Sequence, residues 1–216
     1  MKQKLVIVDY GIGNLKSLEQ VIKYFGITPI RTTERKIIMS ASHLILPGVG
    51  AFGHCVNTLN RFNLLETIND YINSEKYFLG ICVGMQLLFS RSFEFGESYG
   101  LNIIKGDVVK INSNKFKNVM KLPHIGWNKV FHPSKDKVWK NCLFDSFNDY
   151  FYQYFVHSYY PKVKDKSNII GYIKYYDQVL PVAVKKNNVY GFQFHPEKSG
   201  RDGLKILENF LKLDSK

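Results

Sequence analysis

Residues Phe78–Phe89 read FLGICVGMQLLF, an apolar run in which Cys82 stands two residues after Gly80 and two before Gly84. The first part, YFLGI, is short and apolar and predicts a buried strand. The second part, Val83–Phe89, predicts a helix, with Cys82 at the junction. A strand that turns sharply into a helix at G-x-Cys-x-G is the layout of a nucleophile elbow. Positions two before and two after the nucleophile then approach neighbouring backbone, so neither tolerates a Cβ. The start of a helix favours a thiolate, and the Val83 N–H would face a developing oxyanion. The competing reading is a packed core cysteine beside two glycines.

Working outward, KLVIVDYG (4–11) and HLILPGVG (43–50) predict two more strands, buried on both faces as in a parallel sheet. Leu15, Leu18, Val21, Ile22 and Phe25 recur at helical spacing, and Gly26 stops them. ITPIRTT predicts a short strand, and residues 52–72 look helical. Strand and helix thus alternate through the first 90 residues, which implies right-handed crossovers. Beyond about residue 100 the chain turns β-rich, in IIKGDVVKI, WNKVF, FYQYFVHSYY, NIIGYIKYY, LPVAVKK and VYGFQF. Asn187-Asn188 predicts a hairpin turn, and residues 202–213 a final helix. The expectation is a single α/β domain over 1–216 with a mixed, mostly parallel central sheet flanked by helices and a β-rich second half.

The 216 residues carry a net charge of +12, which raises the question of a nucleic-acid partner. The lysines are dispersed, however: Lys105, Lys110, Lys115, Lys117, Lys121, Lys135, Lys137, Lys140, Lys162, Lys164 and Lys166 fall mostly in expected loops. That pattern reads as a solvated surface, and no nucleic-acid motif accompanies it. No apolar run reaches the ~20 residues of a membrane span, and the opening MKQKLVIVDYG is too short in its apolar part for a signal peptide. A cytoplasmic protein is expected. Three cysteines, Cys55, Cys82 and Cys142, without a CxxC, indicate neither a disulfide framework nor a zinc site. Cys55 lies in a helical pattern and Cys142 in a polar stretch, so both read as structural.

A thiol nucleophile needs a base, and six histidines are available. His43, His54 and His132 have no constrained carboxylate nearby. His124 and His157 are candidate pocket residues. His195 is the strongest candidate: it ends VYGFQF, Pro196 holds it extended, and Glu197 stands where it can orient the imidazole. A surface His-Pro-Glu turn is the plain alternative. Strand ends are also where open α/β sheets place their sites.

Taken together, GICVGMQ and FQFHPEKS make the chain resemble the class I glutamine amidotransferases. VDYGIGNLKS, LILPGVGAFG, GICVGMQLLF, LPHIGWN, YFVHSYY and GFQFHPEKSG follow in order, nearly end to end. Within that family the chain is most similar to the glutaminase subunits of imidazole glycerol phosphate synthases.

The resemblance implies a Cys82–His195–Glu197 triad and an oxyanion hole from Val49, Gly50 and Val83. It implies glutamine contacts from Gln86, Glu94, His157, Ser158 and Tyr159, and no cofactor. It further implies a (β/α)8-barrel cyclase partner in a heterodimer, docked on a face that includes Asn14, Trp127 and Lys198, and no binding of nucleic acid or membrane. The ammonia would be used to make imidazole glycerol phosphate and an aminoimidazole carboxamide ribonucleotide in histidine biosynthesis. Paralogues serve other acceptors, such as a surface-sugar amidotransferase, and a catalytically silent regulatory subunit would keep only the fold. Val83 stands where leucine is usual and Ile125 where methionine is common; neither change touches the triad.

Overall fold

The computed structural model describes residues 4–114, 120–134, 139–140 and 142–213; Lys115, Lys117, Lys135 and Lys137 lie outside them. A nine-stranded sheet takes strands from both halves of the chain. From one edge they are β2 (Ile30–Thr32), β1 (Leu5–Val8), β3 (His43–Gly48), β4 (Tyr77–Cys82) and β13 (Val189–Phe192). Then come β12 (Gln178–Lys186), β11 (Ile169–Tyr175), β8 (His124–Phe131) and β9 (Tyr150–His157). Pairing is parallel from β2 to β13 and antiparallel from β13 to β9. The sheet is mixed, as expected, but its antiparallel half is larger than the opening alternation suggested. A second sheet joins β10 (Tyr159–Val163), β7 (Gly106–Lys110), β5 (Arg91–Ser92) and β6 (Ser98–Tyr99).

The central strands are covered on both faces, so β1 and β3 carry no exposed residue. That burial explains why they read as unbroken apolar runs rather than alternating ones. Helix α1 (Leu15–Tyr24) buries Leu15, Leu18 and Ile22. Helix α6 (Gly200–Leu211) buries Ile206, Leu207, Phe210 and Leu211. The hairpin at Asn187-Asn188 forms where expected, with Lys186 paired to Val189 and Asn187 at φ 52°.

One helical expectation is refined and another corrected. Residues 52–72 form two helices, α3 (Phe52–Arg61) and α4 (Leu64–Asn73), broken where Asn63 enters the left-handed region at φ 53°. Asparagine tolerates that conformation better than most residues. The helix after Cys82 is a single turn, α5 (Val83–Gln86), and Leu87, Leu88 and Phe89 continue as buried turn. A five-residue helix, α2 (Arg35–Met39), was not anticipated.

Candidate active site

Three parallel strands end side by side. Gly48, the last residue of β3, is in register with Cys82 at the end of β4, and Ile81 with Phe192 at the end of β13. The chain segments that leave these ends are Val49-Gly50, Val83–Gln86 and His195–Lys198. Parallel pairing therefore assembles the predicted groups at one edge, although they come from three segments spread over residues 49–198.

The elbow is real. Cys82 sits at φ 56°, ψ −112°, a sparsely populated region that costs of order 1–3 kcal/mol. A Cβ on Gly80 would stand 2.5 Å from the Gly84 carbonyl oxygen. A Cβ on Gly84 would collide with the carbonyl oxygen of Leu46 in β3. The steric reason expected for both glycines holds. The expected helix-dipole assistance is smaller, because α5 offers one turn only.

His195 has the extended backbone that Pro196 demands, φ −103° and ψ 92°. A 3-10 turn over Pro196–Lys198 folds Glu197 back, so its Oε1 accepts from His195 Nδ1 at 2.9 Å. Nε2 is left for the Cys82 thiol, which lines the same cleft and helps to raise the imidazole's pKa. Burial would lower the His195 pKa, but Cys82 and Glu197 together outweigh it and raise it to about 10. Glu197 Oε2 is buried with no hydrogen-bond partner among the described residues, so His195 is the principal partner of that carboxylate.

The turn is anchored on β9. The His195 N–H donates to the Tyr154 carbonyl (3.0 Å), the Tyr154 N–H to Ser199 Oγ (2.9 Å), and Ser199 Oγ–H to the His195 carbonyl (2.6 Å). Phe194 packs on Phe192 (4.9 Å between ring centroids) and on Phe155 (5.8 Å), each such pair adding ~0.5–1.5 kcal/mol.

Because folding favours protonated His195, its stabilising contribution is complete below the unfolded imidazole's pKa of about 6.5. It is lost as pH rises toward about 10. Between those values the urea midpoint of the wild type is expected to fall more steeply than that of His195→Gln. Parallel curves would remove the ion pair.

A cleft of about 120 Å³ is lined by Val49, Gly50, Cys82, Val83, Gln86, Glu94, Val156, His157, Ser158, Tyr159 and His195. It unites the predicted oxyanion and glutamine-contact residues with two members of the triad. Glu197 lies behind it, where a narrow crevice also touches Asn14 and Val49. A wider cleft of about 360 Å³, at the opposite ends of β4 and β13, contains Glu75 and Lys186 but no nucleophile.

Gln86 lines the cleft as expected of a contact residue, with its Oε1 not engaged in the bonds that Nε2 makes. Its Nε2 is already committed to the Tyr159 carbonyl (3.3 Å) and to Gln193 Oε1 (2.9 Å). Gln193 was missed in the sequence. It is fully buried, and its Nε2 faces Cys82 Sγ at 3.8 Å. A lone glutamine inside FQF was the available signal, since a buried amide requires partners. Glu94 Oε2 accepts from the Phe52 N–H at 2.8 Å, which ties the cleft to α3.

The PGVG segment is braced from below. Tyr10 Oη donates to the Pro47 carbonyl (2.9 Å) and Cys55 Sγ to the Val49 carbonyl (3.5 Å). Burial raises the Cys55 and Cys142 pKa values to about 11 each, which keeps both as thiols rather than rival nucleophiles.

Trp127 is 57% exposed rather than a core aromatic, and Lys198 is exposed as well. Trp127 shares the outer face of β8 with Ile125, beside Tyr154 of β9. None of the described helices is long and apolar enough to cross a membrane.

The family description "Glutamine amidotransferase class-I" matches residues 6–213. The chain belongs to the class I glutamine amidotransferases. One relative, "Imidazole glycerol phosphate synthase subunit HisH" of Sulfurimonas denitrificans, is 43% identical over 211 residues, 96% of this chain and 97% of the relative. The same-named subunit of Salinibacter ruber is 41% identical over 209 residues, 96% and 93% of the two chains. A solved structure titled "Crystal structure of glutamine amidotransferase" superposes with a TM-score of 0.71 at 16% identity, covering 96% of this chain and 97% of that one. The mixed sheet with its elbow is thus the amidotransferase fold.

Proposed function

We propose that this amidotransferase hydrolyses glutamine to glutamate and ammonia and feeds the ammonia to a barrel cyclase subunit in histidine biosynthesis. The observation that carries the chemistry is the meeting of Cys82, the His195–Glu197 pair and the PGVG segment in one cleft. The pathway rests on near-full-length relatives named as imidazole glycerol phosphate synthase subunits.

In this reading the Cys82 proton has passed to His195 Nε2, whose charged form the site favours, before sulfur attacks the side-chain amide carbon. Val49, Gly50 and Val83 supply the backbone around the tetrahedral oxyanion. The C–N bond breaks as His195 returns the proton to departing ammonia. Water, deprotonated by the same imidazole, then attacks the glutamyl thioester, releasing glutamate and restoring the thiol. Glu197 holds the imidazole in the required orientation and stabilises its charged form. Glu94, His157, Ser158 and Tyr159 bound the substrate, with Gln86 shaping the cleft through Tyr159 and Gln193.

The exposed Trp127 and Lys198, together with Asn14, mark the docking face. The cyclase subunit would sit there and collect ammonia, forming imidazole glycerol phosphate and the carboxamide ribonucleotide. The isolated chain is expected to turn glutamine over slowly, and addition of the cyclase with its nucleotide ligand to stimulate it by at least about 100-fold, the scale of an oxyanion donor brought into place. Glutamate release by the mixed subunits measures this. Full activity of the isolated chain would refute partner control, and failure of the cyclase to bind would refute the pathway.

A further inference from the structure

Behind the cleft, β8 and β9 place His124 directly opposite His157. Asn128 Nδ2 lies 3.4 Å from His124 Nε2, and His124 Nδ1 lies 3.2 Å from His157 Nε2. His157 Nδ1 lies 2.9 Å from the Tyr159 carbonyl oxygen. Both ends of this row are pinned by backbone. Asn128 accepts the Lys129 N–H on Oδ1 (2.7 Å) and donates from Nδ2 to the Lys174 carbonyl (3.1 Å), so its amide cannot be flipped. The Tyr159 carbonyl can only accept, so His157 Nδ1 carries a proton.

The middle of the row then has one solution. Asn128 donates to His124 Nε2, His124 Nδ1–H donates to His157 Nε2, and His157 Nδ1–H donates to Tyr159. A second proton on either ring would set two donors against each other. Burial agrees, lowering the His124 pKa to about 4 and that of His157 to about 3. Stacking on Phe155 (5.2 Å) and contact with Tyr175 (4.1 Å) hold the His124 ring in place.

The Tyr159 carbonyl also receives Gln86 Nε2, which reaches Cys82 through Gln193. We propose that His124 is a positioning residue for glutamine binding: by donating to His157 Nε2 it holds that ring in place against the Tyr159 carbonyl, and with it the 157–159 wall of the cleft. This rests on reading the cleft as the glutaminase site. Without the His124 donor, His157 Nε2 would be a buried unpaired acceptor. Moving the ring proton to Nε2 would leave an unpaired donor instead and turn a lone pair on Nδ1 against the Tyr159 oxygen, so the ring would have to shift.

The test uses the full chain in complex with its cyclase. His124→Asn keeps an amide N–H near the position of Nδ1–H, whereas His124→Leu removes it. The leucine variant is expected to raise KM for glutamine about tenfold, the scale of one lost buried hydrogen bond, with kcat within about twofold. The asparagine variant should recover most of the loss. Nitrogen chemical shifts of the wild-type histidines at pH 7 should show both rings as neutral Nδ1–H tautomers, and the His157 Nε2 signal should shift in His124→Leu as that nitrogen loses its donor.

An Nε2–H His157 in the wild type would overturn the proposal, as would equal KM values for the two variants. The wild-type tautomers decide even if the leucine variant does not fold. They are read without an activity assay, so their failure is distinguishable from loss of the glutaminase reading, which full turnover by Cys82→Ala would bring about.

Discussion

Cys82→Ala is expected to lower glutamine-dependent synthesis by the assembled complex by at least about 10⁴-fold, the scale on which removal of a triad nucleophile acts. Synthesis from added ammonia should stay within about twofold, because the acceptor chemistry belongs to the partner. The size of the effect follows from the site. Cys82 is the thiol in the cleft, held at a strained elbow beside His195. Cys55, the nearest substitute, is buried under the PGVG segment and kept protonated. The methyl group of alanine fits the elbow geometry, so the fold should survive and the loss should be chemical. Parallel assays with glutamine and with ammonium separate the outcomes. If glutamine-dependent turnover stayed above about 1% of wild type, far beyond what such residual catalysis allows, Cys82 would not be the nucleophile.

Much of this site could be read in the sequence because its constraints are local. The glycines flanking Cys82 answer to a turn five residues long, and Glu197 reaches His195 across two residues through a proline-started 3-10 turn. Continuous apolar runs at 4–11 and 43–50 correctly announced strands buried on both faces. What escaped depends on partners distant in the chain. Gln193 acquires its meaning from Gln86, 107 residues away, and His124 from His157 across a strand pairing. Neither pairing leaves a periodic mark. The helices failed for a different reason. Leu87-Leu88-Phe89 continues an apolar run with no polar face, so its periodicity could not distinguish helix from buried turn. At Asn63 the residue type was a clue, but its left-handed conformation is a tertiary choice.

Gly84→Ala tests the elbow itself, independently of any assay. The added Cβ would meet backbone, the Leu46 carbonyl oxygen of β3. Backbone cannot rotate away as a side-chain end can, so β3 and the elbow must separate. Gly48 confirms how tight the junction is: a Cβ there would lie 2.8 Å from the Gly84 nitrogen and 3.0 Å from the Val83 Cβ. Overpacking against side chains costs ~1–3 kcal/mol, and a backbone clash between the elbow helix and a central strand should exceed about 3 kcal/mol. For a chain of this size that lowers Tm by roughly 10 °C.

Gly26→Ala provides the contrast. Gly26 has φ +79° and open space around its missing Cβ, so only the left-handed conformation is penalised, by about 1 kcal/mol. Thermal unfolding of both variants gives the comparison, and equal losses would mean that conformation rather than contact selects glycine at position 84. Because the same displacement moves Val49 and Gly50 away from Cys82 and Val83, any folded Gly84→Ala protein should also lose glutaminase turnover. The residues that shape the Cys82 turn and those proposed to face the oxyanion are joined where Gly84 packs on the backbone of β3.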